Sequence, residues 1–452
     1  MFILDCGLAF PDADMPGVDI VLPDFTYVER NADKLRGIII THGHEDHTGG
    51  LAYLLKKVSA PVYGSGMAIG LIKHKLEEHG MLGKVSLNVM EPRKTVKLGC
   101  MAVEFIRVNH SIPGAMGMAI HTPAGVLVHT GDFKVDYTPI DDEPTDLGRF
   151  AELGKQGVLA LLADSTNVER PGHSDSESVV GDRFDQLFKG CDKRIIVATF
   201  ASNVSRVQQV INAAVHAGRK VAVSGRSMLN VLTVAQELGY MVIPEGTLVD
   251  LDRINQFPPE QMCLITTGSQ GEPLSALYRM AYSDHKKVEI GPKDTVILSA
   301  SAIPGNEKSV SRVINELLKS GAEVVHGHDE HVHVSGHACR EELAMILALL
   351  RPKYFLPFHG EYRQQKRHAD LAAFVGVAPY NIHILENGQV FEFNKDSAKV
   401  VDHVPAGRVL VDGLGVGDVG NIVLRDRRHL AQEGLITIVM IFDSQSGHLV
   451  SG

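Results

Sequence analysis

The chain has 452 residues, 44% of them hydrophobic and 22% charged, and carries a formal net charge of −10. That length exceeds one ordinary core and predicts two or three domains of a soluble globular protein, with no apolar stretch long enough to span a bilayer and hence no membrane partner. The negative balance excludes nonspecific nucleic-acid binding through a broad basic face, although bound metal ions and backbone amides can still hold a phosphate-bearing substrate.

In chain order, Met1-Phe2-Ile3-Leu4-Asp5 has neither a basic region nor a cleavage site, so no signal peptide is expected. The scattered, odd-numbered Cys6, Cys100, Cys191, Cys263 and Cys339 read as thiols in a reducing compartment, and the predicted location is the cytoplasm. Gly37-Ile38-Ile39-Ile40 reads as a buried strand, and Leu51, Leu54, Leu55 and Val58 as the inner face of a helix. Between them, Thr41-His42-Gly43-His44-Glu45-Asp46-His47 places four candidate ligands within six residues on a strand-to-helix loop. A rigid scaffold can aim such side chains at one point, and neutral imidazole with carboxylate suits zinc or, less exclusively, manganese. The alternative is a solvated His-rich loop. Strand-like runs at 102–108, 125–129 and 158–163 then end in Asn109-His110-Ser111, Thr130-Gly131-Asp132-Phe133-Lys134 and Asp164-Ser165-Thr166-Asn167. One His or Asp at a strand end is usually structural; three in succession favour a shared site.

From about residue 190 the pattern becomes a βα alternation. Strands are expected at 194–200, 220–224, 240–243, 263–267 and 294–299, with a helix marked by Val204, Val207, Ile211, Ala214 and Val215 and closed by Gly218. This reads as a doubly wound α/β domain. Its post-strand loops, Ala201-Ser202-Asn203, Gly225-Arg226-Ser227, Gly268-Ser269-Gln270-Gly271-Glu272 and 301–307, are rich in small residues that hold phosphate or simply cap helices; their recurrence favours a phosphate crevice. A second cluster, His326, His328, His331, His333 and His337, precedes a helix marked by Leu343, Ile346, Leu347 and Leu350, and only two or three of these histidines are expected to be functional. A strand at 353–357 then ends in His359-Gly360-Glu361. That repeats the earlier strand-end pattern, so the chain is expected to return to the first domain there, making the α/β block an insertion. Gly413–Gly420 reads as a turn system between strands, and Arg425-Asp426-Arg427-Arg428 as a solvated surface turn.

These residues resemble the metallo-β-lactamase superfamily and, within it, the β-CASP nuclease branch. His42-Gly43-His44-Glu45-Asp46-His47 is similar to the second metallo-β-lactamase motif, His110 to the third, and Asp132 in Gly131-Asp132-Phe133-Lys134 to the fourth. Asp164, His337 and His359 are similar to the acid of motif A and the histidines of motifs B and C. The segments Asn109-His110-Ser111-Ile112-Pro113, Thr267-Gly268-Ser269-Gln270-Gly271-Glu272-Pro273 and His359-Gly360-Glu361-Tyr362-Arg363 resemble bacterial ribonuclease J, and the likeness covers nearly the whole chain. It implies an α/β fold: a metallo-β-lactamase αββα sandwich with an inserted doubly wound β-CASP domain, divided as 1–175, 176–345 and 346–452. Ribonuclease J usually has a Gly-rich strand before the equivalent of Met1 and a further domain after the equivalent of Gly452. The chain is therefore expected to be a core lacking both ends, closing on the start of a linker to an absent C-terminal domain.

The resemblance further implies two zinc ions, with manganese as the alternative. His42, His44 and His110 would hold one, Asp46, His47 and His359 the other, and Asp132 would bridge them. Asp46 or Asp164 would orient the water or take its proton, and His337 would protonate the leaving oxygen. The segment His333-Val334-Ser335-Gly336-His337, with Ser269, Ser202 and Asn203, is the candidate grip on substrate phosphates. Also implied are RNA as substrate, 5′-to-3′ exonuclease action favouring a 5′-monophosphate alongside endonuclease cleavage, and a place in RNA maturation and decay. A homodimer or homotetramer is expected where the C-terminal domain is present, with membership of an RNA-degradation complex and a structural calcium near Asp19 and Asp412. The competing readings are a nuclease acting on DNA, a hydrolase of small esters, and a non-catalytic scaffold.

Overall fold

The structure is a computed structural model that describes residues 1–451 apart from 13, 141, 142, 274, 304, 414, 435–437, 443–445, 447 and 448. Pro304 in the small-residue loop, Leu414 in the Gly-rich run and the side chain of His328 thus lie outside the described residues.

The β-branched run at 38–40 is fully buried, and alternation sends Ile38 and Ile40 to one face and Ile39 to the other. It lies in a parallel four-stranded sheet ordered Ile3–Leu4, Ile38–Ile39, Val62–Gly64, Leu87–Val89. A six-stranded sheet runs Tyr354–Phe358, Ala160–Asp164, Gly125–His129, Met116–Thr122, Met101–Arg107, Thr95–Leu98. The sheets meet face to face: Ile39, Leu4 and Tyr63 pack on Val103, Phe105, Met118 and Ile120. Helices cover both outer faces, Leu51–Leu55 and Gly66–Glu78 on one, Leu147–Gln156, Arg340–Leu350 and Tyr362–Val375 on the other. This is an αββα sandwich.

After Asp164 the chain leaves this sandwich; it returns through helix Arg340–Leu350 to the neighbouring strand, paired in parallel from Ala160↔Tyr354 to Asp164↔Phe358. Between lies a five-stranded parallel sheet ordered Lys220–Ser224, Met262–Thr266, Arg194–Ala198, Asp294–Leu298, Glu323–Val325. Helices pack on both its faces, 178–188, 204–216 and 226–237 on one, 276–281 and 307–319 on the other. The inserted block is doubly wound, as expected.

Two local expectations fail. Residues 240–243 are not a strand. The amides of Tyr240 and Met241 both donate to the Ala235 carbonyl at the end of the 226–237 helix, and that of Val242 to the Gln208 side chain, which takes three of the four amides away from a ladder. Leu248 instead bridges to Val221 at that sheet edge. The run 425–428 is not a turn either; it lies inside the helix Asn421–Glu433, with Arg427 held by Asp412 at 2.5 Å and by the Pro16 carbonyl at 3.2 Å.

Candidate metal centre

Six strand or loop ends converge at one rim of the sandwich. In the first nest, His44 Nδ1 lies 3.0 Å from His42 Nε2 and 3.2 Å from His110 Nε2. In the second, His47 Nε2 is 3.3 Å from Asp132 Oδ2 and 3.6 Å from Asp46 Oδ2, and His359 Nε2 is 3.5 Å from each of those oxygens. Asp132 Oδ2 also stands 3.9 Å from His42 Nε2, between the nests. The ligand atoms of His42, His44 and His110 lie within 4.8 Å of one another, as do those of Asp46, His47, Asp132 and His359, and those of Asp132, Asp164, His337 and His359.

Hydrogen bonding behind the rings decides which nitrogen faces inward. The Gly336 carbonyl can only accept, so His110 Nδ1, at 2.7 Å, carries a proton and Nε2 presents its lone pair. Thr41 Oγ1 donates to Asp5 Oδ2 at 2.8 Å and so accepts from His42 Nδ1 at 3.0 Å. Thr166 Oγ1 donates to Asp164 Oδ1 at 2.7 Å and accepts from His359 Nδ1 at 2.9 Å. His47 Nδ1 faces Asp5 Oδ2 at 2.7 Å. His47 Nε2 and Asp132 Oδ1 are buried with no hydrogen-bond partner. Orphaned, dry donor atoms backed by carboxylate and carbonyl partners are what a metal centre requires, and these residues fit one.

Two glycines allow the close approaches. A Cβ on Gly7 would fall 1.5 Å from the Asp46 carbonyl oxygen, and one on Gly336 would fall 2.8 Å from His110 Nδ1. Electrostatics separate the nests. Burial pushes His42 and His110 well below the usual histidine range and His44 down to about 4. Burial is the largest influence on His47 and His359 and opposes their charge, but the surrounding carboxylates together exceed it, Asp132 with Asp5 at His47 and Asp132 with Asp164 and Asp46 at His359, and raise both.

Beside the second nest, His337 Nδ1 meets Asp164 Oδ2 at 2.7 Å. Burial works against a proton on His337; Asp164 prevails and raises its pKa. His333, Ser335 and His337 are half-buried while Val332, Val334 and Gly336 between them are buried, so the three polar side chains share one face of an extended segment. Ser335 Oγ accepts from Asn167 Nδ2 at 2.7 Å. Val334 packs in the core of the inserted block, so only its backbone is left for a substrate. Asn203 caps the 204–216 helix, its Oδ1 accepting from the Arg206 amide, and lines a small cavity with His110, Ser111, Lys134 and Asp136. Ser202 is half-buried beside it, and Ser269 is buried at the end of the 262–266 strand. Asp19 accepts from the Gly413 amide at 2.7 Å and Asp412 pairs with Arg427, which partners both carboxylates without a cation. Sequence reasoning passed over Asp5 and Thr166, the groups that orient His47, His42 and His359. Asp5 also ends a strand, and that was its only signal; its left-handed φ of 58° is invisible in the sequence.

Fold and site together define a metallohydrolase of the metallo-β-lactamase class with an inserted β-CASP domain. Residues 2–184 match the description "Metallo-beta-lactamase superfamily", 192–317 "Ribonuclease J, beta-CASP domain", and 322–385 "Zn-dependent metallo-hydrolase RNA specificity domain". The chain is 44% identical to Ribonuclease J 1 of Streptococcus pyogenes, over all of this chain and 80% of that one. It is 43% identical to Ribonuclease J2 of Bacillus subtilis over all of this chain and 81% of that one, and 45% identical to Ribonuclease J of Thermus thermophilus over 98% and 78%. The chain belongs to the ribonuclease J family of metal-dependent ribonucleases. A protein of unknown function from Enterococcus faecalis shares the fold at 16% identity, with a TM-score of 0.54 over 81% of each chain. Among the described residues no helix is long and apolar enough to cross a membrane.

Proposed function

We propose that this chain is a cytoplasmic, zinc-dependent ribonuclease that removes nucleotides 5′ to 3′ from 5′-monophosphate ends and also cuts internally, in RNA maturation and decay. Manganese is the alternative metal; where a C-terminal domain is present the enzyme would be a homodimer or homotetramer, with an RNA-degradation complex as its partner. The observation that carries the reading is the shared face of His333, Ser335 and His337 beside Asp164 and the two nests. Three donors line up there next to a hydrolytic centre.

His42, His44 and His110 would hold one ion and Asp46, His47 and His359 the other, with Asp132 between them. Two such ions, when bound, supply a hydroxide near neutral pH and stabilise charge on the phosphoryl oxygens. The chain's own groups do the rest. His337 is kept protonated by Asp164 and donates from Nε2 to the leaving oxygen. Asp164 already accepts from Thr166 and His337 through its two oxygens, which favours holding His337 as its task and leaves the exposed Asp46 to take the proton of the attacking water. Ser335, His333, Ser202, Asn203 and Ser269 would grip phosphate, and a calcium at Asp19 and Asp412 would have to displace Arg427.

A compact pocket formed by these groups would fit a dianionic monophosphate, reject the bulk of a triphosphate, and leave donors unpaired over a 5′-hydroxyl at about 1–3 kcal/mol per buried group. End-labelled RNA bearing each 5′ end, with a DNA strand alongside, tests this. Mononucleotides should be released rapidly only from 5′-monophosphate RNA, and Ser335→Ala should reduce that preference more than it reduces internal cleavage. Equal release from all three ends refutes the pocket, and equal cleavage of DNA refutes the substrate class.

A further inference from the structure

Among the described residues Arg206 is the largest fully buried side chain, and it belongs to neither nest. Its Nε and Nη2 meet both oxygens of Glu177, at 2.5 and 3.0 Å. Nη1 points the other way, its two N–H groups shared among Ser299 Oγ at 2.7 Å, the Ser299 carbonyl at 3.2 Å, His333 Nδ1 at 3.2 Å and the Val332 carbonyl at 3.3 Å. Glu177 is itself tied to the sandwich, since its amide donates to Asp136 Oδ2 at 3.1 Å, and Asp136 pairs at 3.1 Å with the buried Lys134, two residues past Asp132. A line of buried charge thus runs from the Asp132 loop to the His333 face.

A guanidinium has five N–H donors and no acceptor, and it does not lose its proton in a protein. Its partner His333 Nδ1 must therefore offer a lone pair, which places the ring proton on Nε2. We infer that Arg206 is a positioning residue for substrate binding: it fixes His333 as the Nε2–H tautomer and sets its place on the face shared with Ser335 and His337. Glu177 holds the guanidinium in two bonds, so the fork cannot turn away. The imidazole then presents a donor, the polarity a phosphate oxygen needs. Isolated burial of an arginine would be costly, and a methionine would fill the space; the charge has a use at His333. This rests on the proposal that His333 grips substrate phosphate.

The test uses the metal-loaded full chain. In ¹⁵N-histidine spectra, the signals lost in His333→Ala should show Nδ1 unprotonated and Nε2 protonated; a protonated Nδ1 overturns the inference, with no variant of Arg206 required. Arg206→Met should raise the KM for 5′-monophosphate RNA about tenfold, as loss of one hydrogen bond to a charged group would, with kcat and metal content near wild type. Arg206→Lys should recover part of the loss. If the single variant unfolds, Glu177→Met with Arg206→Met removes the buried pair together and carries the same measurement. In a His333→Ala background either change should add less than about twofold, because coupled sites are not additive. Full additivity makes Arg206 a general support and overturns the inference. If His333→Ala itself leaves KM unchanged, the phosphate grip fails first; if His333→Ala raises KM and Arg206→Met does not, only the positioning role fails.

Discussion

The two nests stand side by side yet are built on opposite electrostatics. His42, His44 and His110 bring three nitrogens together with no carboxylate among them, and burial, helped by the neighbouring imidazoles, drives their pKa values down. Asp46, His47, Asp132 and His359 mix imidazole with carboxylate, and there Asp132, together with Asp5, Asp46 and Asp164, overcomes burial and raises the pKa of both histidines. The first nest keeps its ligand nitrogens free of protons down to a pH of about 4, where His44 titrates; the second must release protons to accept a cation. The carboxylates are what differ. They would neutralise the charge of a bound ion, and they extend through Asp164 to His337, so one side of the centre merges into the groups proposed to move protons.

The sharpest way to break this contrast is at its border. His337 lies within ligand distance of Asp132, Asp164 and His359 but is assigned to proton transfer. His337→Ala should cut turnover by roughly 10²–10⁴-fold while leaving metal content intact. Loss of metal in proportion to activity would make it a ligand instead. Next in size is Asp5, which orients His47 directly and His42 through Thr41. Asp5→Ala should weaken metal binding by about 10–100-fold, read by competition with a chelator, with the fold retained. Unchanged affinity would mean that the ring orientations are set by packing alone.

The smallest effect is in the metal-stripped protein. His42, His44 and His110 bind protons less readily folded than unfolded, so stability should fall as pH drops from 6.5 towards about 4, where His44 titrates. For His47 and His359 the folded pKa is raised, so their contribution is full below 6.5 and disappears as pH rises through the folded values. The melting temperature should therefore decline on both sides, by on the order of a few °C. Asp132→Asn should reduce the alkaline decline and spare the acid one, the remainder being held by Asp5, Asp46 and Asp164; loss of both together would erase the distinction between the nests.

Much of this was legible in the sequence because strand-end histidines and aspartates sit next to apolar runs whose period is unambiguous. Ile38-Ile39-Ile40 before His42, and the run ending at Phe358 before His359, announce both the strand and the loop it presents. The return at His359 predicted the insertion, since a ligand so far along the chain reaches the centre only if its strand joins the first domain. What stayed hidden depends on contacts across the fold. Tyr240–Ile243 has a strand's composition, but the end of the preceding helix captures its amides. Arg427 looked solvated because its partners, Asp412 and Pro16, are distant in sequence. Asp5 and Thr166 orient ligands through hydrogen bonds that no spacing encodes.

The central claim is that strand ends from two distant parts of the chain complete one dinuclear centre, with His359 on the carboxylate-bearing side. Elemental analysis of the purified protein and of His359→Ala tests it most directly. About two transition-metal ions per chain in the wild type, falling towards one in the variant while the fold is kept, is the predicted result. A single ion in the wild type, or two retained without His359, would contradict it.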